Sequence, residues 1–216
     1  MDFSFATQVM NMMFALILAL SFHEAAHAWM AKVQGDDTAE REGRLTLNPI
    51  PHMDPFGTVL FPLIGSMLGG FIFGWAKPVP VNTRNLKNEK WGYVWVAAAG
   101  PLANLLFCTI SVLIINFIPS EEGTAWIAFY RLFQGLIWIN AILAFFNLLP
   151  LYPLDGGTIF TAFLSNSWRE KYEQYIAPYG MFILLALLLT GGLKPLFAMA
   201  SLWVGLSTAL VNVVLP

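Results

Sequence analysis

Long apolar runs, separated by short clusters of charged and turn-forming residues, dominate the pattern of this chain. They cover residues 5–30, 56–75, 93–118, 126–149, 176–190 and 196–214, here segments A to F. A bilayer core of about 30 Å takes about 20 apolar residues as helix, so the pattern predicts five to six transmembrane helices. The apolar stretch 158–164, after Asp155-Gly156-Gly157, is too short to span. Segment B is irregular. It holds Gly57, Gly65, Gly69, Gly70 and Gly74 together with Pro62, a density that suits a re-entrant or broken element as well as a span. Its flanks carry strand-like signals, Arg44-Leu45-Thr46-Leu47 and Val79-Pro80-Val81, which predict a small sheet near the membrane face. The expected fold class is an all-α polytopic membrane protein with a small membrane-associated β element.

Composition agrees. Of 216 residues, 57% are hydrophobic and 11% charged, against about 45–50% and about 25% in soluble domains. This excludes a disordered chain and argues against a soluble globule. The length predicts a single membrane-embedded domain over 1–216, with a core at 5–165 and C-terminal helices at 174–214. A net charge of −2 gives no sign of a nucleic-acid partner, and the lone Cys108 excludes an internal disulfide and cysteine-rich metal sites. The start, Met1-Asp2, lacks the basic residue of a secretory signal, so segment A is read as retained.

Basic residues discriminate between topologies. If B does not cross, residues 32–92 share one side and hold Lys32, Arg41, Arg44, Lys77, Arg84, Lys87 and Lys90. The loop after D then returns to that side with Arg169 and Lys171, making nine of the eleven Lys and Arg. Basic loops favour the cytoplasm. If B crosses, the bias largely vanishes.

Candidate chemistry begins with His23-Glu24-Ala25-Ala26-His27 at the inner end of A. Positions four apart share one helix face, so both imidazoles can ligate one Zn²⁺ while Glu24 stands beside them to accept a proton from water. The alternative is a helix end whose polar residues face water. A catalytic zinc site takes three protein ligands. His52, in a polar loop, is one option for the third, although a solvated loop histidine is the simpler reading. Asp155, before Gly156-Gly157, is the other; alone it reads equally as turn chemistry, but next to an incomplete metal motif it is preferred. With B not crossing, A ends and D returns on the same side, so His23, His27 and Asp155 can meet. With B crossing once they cannot, whereas a hairpin of two short crossings in B would also let them meet.

Together these motifs resemble the site-2 protease family of intramembrane zinc metalloproteases. The resemblance rests on His23-Glu24-Ala25-Ala26-His27-Ala28 and on Asn147-Leu148-Leu149-Pro150 leading to Pro153-Leu154-Asp155-Gly156-Gly157. Gly100-Pro101-Leu102-Ala103-Asn104 and the run from Gly74 to Asn82 are also similar, the latter to short prokaryotic members. The resemblance implies a catalytic core of three helices, A, C and D, holding one Zn²⁺ per chain near the cytosolic side of the plasma membrane. It implies His23, His27 and Asp155 as ligands and Glu24 as general base. It implies that Asn147 holds the substrate or the developing oxyanion, with a helix-to-helix hydrogen bond as the alternative. Gly100 and Asn104 are read as close-packing residues. The implied partners are a transmembrane protein or peptide substrate and the lipid bilayer. No PDZ or CBS regulatory domain is expected within the sequence, and the oligomeric state is open.

Two other classes fit intramembrane His, Glu and Asp. One is a membrane cation transporter, against which the lack of inverted repeats argues. The other is a non-catalytic zinc-binding membrane protein, which would not need Glu24.

Overall fold

The structure is a computed structural model that describes residues 3–67, 74–121, 123 and 126–214. Nine α-helices occur among the described residues. They are α1 (Phe3–Val33), α2 (Thr38–Arg41), α3 (Phe61–Met67), α4 (Glu89–Ile115), α5 (Ile127–Asn147), α6 (Asp155–Phe163), α7 (Asn166–Tyr175), α8 (Gly180–Thr190) and α9 (Lys194–Val214). Five stretches are long and apolar enough to cross a membrane: α1 from Phe5, α4, α5, the α7–α8 run from Asn166 to Thr190, and α9. The protein is a multi-pass, all-α membrane protein.

Burial runs opposite to that of a soluble domain. Leu106, Phe182, Leu189 and Val213 lie bare on the outside, whereas His23, Glu24, His27, Asn104, Asn140 and Ser207 are inside. Lipid tails solvate the former, and polar groups turn inward to find partners. Helices α1, α4 and α5 pack on one another, α9 closes the outside of α4 and α5, and α6 leans on α4. Cys108 and Val112 of α4 meet Ile137 and Ala141 of α5 and Ala200 and Val211 of α9. Small residues at these contacts let the backbones approach closely.

Segment B forms a wide-turned helix, Pro55–Leu60, running into α3. Asp54 caps it by accepting from the amides of Phe56 and Gly57. At thirteen residues, Pro55–Met67 is too short to span; residues 68–73 of this segment lie outside the described residues. The chain returns at Gly74, where the Trp75 amide bonds Gly57 and the Thr58 hydroxyl bonds the Trp75 carbonyl.

The expected sheet is absent: no described residue lies in a strand. The chemistry of the two flanks explains this. Pro78 and Pro80 have no amide to give a ladder, and the link between the flanks is a side chain. The buried Arg44 guanidinium donates to the carbonyls of Lys77 and Pro78. The loop assigned between D and E also differs, because it contains the polar helix α7.

Asp36, fully buried after α1, ties the 82–85 turn to the end of that helix. Its carboxylate accepts from the amide and hydroxyl of Thr38, the amide of Asn82 (2.7 Å) and the side-chain amide of Asn85 (3.0 Å). Burial alone would raise its pKa, but these hydrogen bonds outweigh it and hold the carboxyl below its ordinary 3.8. A lowered folded-state pKa contributes stability that is complete above the unfolded value and is lost as pH falls through the folded one. Asp36→Ala is therefore expected to cost about 2–3 kcal/mol near neutrality. In melts taken across pH, the gap from wild type should stay constant above about pH 5 and narrow as pH falls below 3.8 through the lowered folded-state pKa.

Candidate metal centre

His23 and His27 stand one turn apart on α1, with ring centroids 4.6 Å apart and planes at 88°. Asp155 opens α6, and Leu154 rather than Asp155 occupies the capping position. The turn-chemistry reading of this aspartate therefore does not describe its side chain. Asp155 Oδ2 lies 3.2 Å from Nε2 of His23 and 3.4 Å from Nε2 of His27. One ligating atom from each residue falls within 4.8 Å of the others.

Hydrogen bonds on the far side of each ring decide what these atoms are. His27 Nδ1 lies 2.7 Å from the Val96 carbonyl, which only accepts, so Nδ1 carries the proton. His23 Nδ1 lies 2.6 Å from Oδ1 of Asn104 and is likewise the donor. In the neutral rings both Nε2 atoms are then lone pairs facing a carboxylate. Asp155 Oδ2, although buried, has no hydrogen-bond partner. Two imidazole nitrogens and one carboxylate oxygen converging without a donor call for a cation. Tetrahedral zinc with bonds of about 2.0–2.1 Å separates its ligands by about 3.3 Å. The Nε2 to Oδ2 distances match that spacing, so the residues fit the ion.

Backbone shape makes room for the cluster. A Cβ on Gly100 of α4 would lie 2.5 Å from His27 Nε2 and 2.6 Å from His23 Cε1. A Cβ on Gly156 would strike the carbonyls of Leu148 and Leu149. That glycine lets the 148–154 turn fold onto α6 and bring Asp155 to the histidines.

Glu24 is almost fully buried, and its Oε2 accepts the Val79 amide at 2.9 Å. Arg44, by holding the two preceding carbonyls, fixes the strip that presents this amide. Asn147 ends α5, and one of its amide hydrogens goes to the Leu143 carbonyl on the same helix. His52 takes no part in the cluster. It is neither a ligand nor solvated, but a fully buried side chain whose Nε2 bonds the Thr46 carbonyl.

Asn140 carried no assigned role in the sequence pattern, Gly100 and Asn104 were read as packing only, and Arg44 and Val79 were read as parts of a sheet. Asn140 had a usable signal, since an amide in the middle of an apolar span needs a partner.

A helical membrane protein with a buried His-Glu-x-x-His turn completed by a distant aspartate is, as a class, an intramembrane metallopeptidase. The family model of peptidase family M50 matches residues 11–128 and 118–190, and the chain belongs to that family, the site-2 proteases. It is 40% identical over 179 residues to YwhC of Bacillus subtilis, covering 81% of this chain and 78% of that protein. It is 29% identical over 206 residues to Rip2 of Mycolicibacterium smegmatis, covering 91% and 74%. Both relatives carry names that class them with the zinc metalloproteases. No solved structure matches the chain. The protein is thus a membrane-embedded, zinc-dependent metalloprotease.

Proposed function

We propose that the protein hydrolyses peptide bonds in or near the transmembrane segments of other membrane proteins, at a zinc ion held by His23, His27 and Asp155. The observation that carries this reading is the convergence of two imidazole lone pairs and one unpartnered buried carboxylate oxygen. Zinc bound there supplies a Lewis acid for the scissile carbonyl and lowers the pKa of water. Glu24 is the general base: it takes a proton from the attacking water and returns it to the leaving amine. The Val79 amide holds one of its carboxylate oxygens, which aims the other. Asn147 keeps a second amide hydrogen for a substrate carbonyl or oxyanion.

The active site faces the cytosol in this reading, because nine of the eleven Lys and Arg fall on its side. An apolar groove beside the site, lined by Phe22, Ala25, Ala26 and Trp29 of α1 with Leu45 and Leu47, suits a chain arriving from lipid. A polar cavity lined by Lys90, Tyr93, Tyr152, Thr158 and Arg169 suits entry of water.

The test is cleavage of a panel of single-span proteins by the protein reconstituted in bilayers. Cleavage is expected within or beside the span, is expected to stop on chelation and to return with zinc. Cleavage that survives complete zinc removal, or zinc flux across the bilayer without any cleavage, would contradict the proposal.

A further inference from the structure

Two asparagines form a chain of hydrogen bonds that ends on a metal-binding imidazole. Asn104 of α4 and Asn140 of α5 are both fully buried. Asn140 Nδ2 donates to the Leu136 carbonyl at 2.8 Å. Asn104 Nδ2 donates to the Ala19 carbonyl at 3.0 Å and to Asn140 Oδ1 at 2.7 Å. Asn104 Oδ1 faces His23 Nδ1 at 2.6 Å.

The direction of the chain is forced. Backbone carbonyls accept and cannot donate, so the Leu136 carbonyl fixes which end of Asn140 is NH₂, and the Ala19 carbonyl does the same for Asn104. With both amides so locked, only the Asn104 oxygen can face His23. The ring must then carry its proton on Nδ1 and turn the Nε2 lone pair to Asp155. The second imidazole has no such side chain behind it, because a backbone carbonyl, that of Val96, orients His27.

We infer that Asn104, held by Asn140, is a positioning residue that sets the tautomer and angle of His23 as a metal ligand, making α5 a contributor to zinc affinity without supplying a ligand. This rests on the assignment of His23 as a ligand. Partners behind ligating histidines are worth about 10- to 100-fold in metal affinity.

The test measures zinc affinity by chelator competition on the full-length protein in detergent, with melting of the metal-free form recorded alongside. The variants are Asn104→Leu, Asn140→Leu, the double variant and His23→Ala, with Ser111→Ala as a packing control at another buried position of α4. Asn104→Leu is expected to weaken zinc by about 10- to 100-fold and to change the visible spectrum of the cobalt-substituted protein. Asn140→Leu should weaken zinc less, and not further once Asn104 is gone. Ser111→Ala should change neither readout. A purely packing role for Asn104 lowers melting but leaves affinity and the cobalt spectrum of the folded protein as in wild type; that result would overturn the inference. If Asn104→Leu does not fold, Asn140→Leu decides alone, and wild-type zinc affinity there overturns it. If His23→Ala itself binds zinc like wild type, the ligand assignment has failed. If only His23→Ala loses zinc, the ligand assignment stands and the relay fails.

Discussion

Replacing Glu24 by Gln is expected to leave zinc bound and to lower cleavage by about 10²- to 10⁴-fold, the usual worth of a general base. The geometry makes this a clean exchange. Glu24 Oε2 accepts the Val79 amide at 2.9 Å, and the glutamine carbonyl oxygen can keep that bond. Side-chain volume and orientation are preserved, while the basic oxygen that takes the proton from water is replaced by an amide nitrogen. Zinc content measured with single-turnover cleavage of a single-span substrate checks it. Undiminished cleavage by Glu24→Gln would remove the general-base assignment while leaving the metal site untouched.

The second large effect is expected at a residue with no functional group. Gly100→Ala should abolish tight zinc binding and reduce cleavage by about 10²-fold or more. The added carbon would sit 2.5 Å from His27 Nε2 and 2.6 Å from His23 Cε1. Neither ring has room to yield, since each is held from behind by a short bond at Nδ1. Alanine in a helix interior is about 1 kcal/mol more favourable than glycine, which offsets part of the about 1–3 kcal/mol that crowding the two rings costs. The metal-free variant is therefore expected to melt only slightly below wild type, while the folded protein loses tight zinc binding. A Gly100→Ala protein that folds and binds zinc as tightly as wild type would show that Gly100 serves helix packing alone.

The parts of the fold that were legible are those for which lipid sets the rule. Helices α1, α4, α5 and α9 each carry about 20 apolar residues in one run, and a bilayer permits little else. Region 56–75 was left open between a span and a re-entrant or broken element because glycine and proline crowd it; its described helical part, Pro55–Met67, is too short to span. The polar α7 was less legible. Its sequence, Asn-Ser-Trp-Arg-Glu-Lys-Tyr-Glu-Gln-Tyr, is short and mostly polar, and its one stripe, Trp168, Tyr172 and Tyr175 at helical spacing, is easily passed over between two membrane runs. The sheet anticipated around 44–47 and 79–81 rested on β-branched and alternating residues. Local propensity could not reveal that Arg44 would bond the 77–78 carbonyls with its side chain.

Within the site, residue chemistry was readable and residue support was not. His23, Glu24 and His27 stand out because charged and imidazole groups inside an apolar run are costly, and Asp155 because that motif lacked a third ligand. His52 was misjudged as solvated, since burial of a loop depends on what folds over it. Gly100 gave no chemical signal, as its contribution is the absence of a side chain facing two rings 73 to 77 residues earlier in the sequence.

Metal analysis of the purified protein, paired with the Asp155→Ala variant, bears most directly on the centre from which the rest follows. One zinc per wild-type chain is expected, with X-ray absorption reporting only nitrogen and oxygen neighbours at about 2.0–2.2 Å. The variant should lose the ion at chelator concentrations that wild type withstands. An Asp155→Ala protein that folds and keeps its zinc as firmly as wild type would contradict the account.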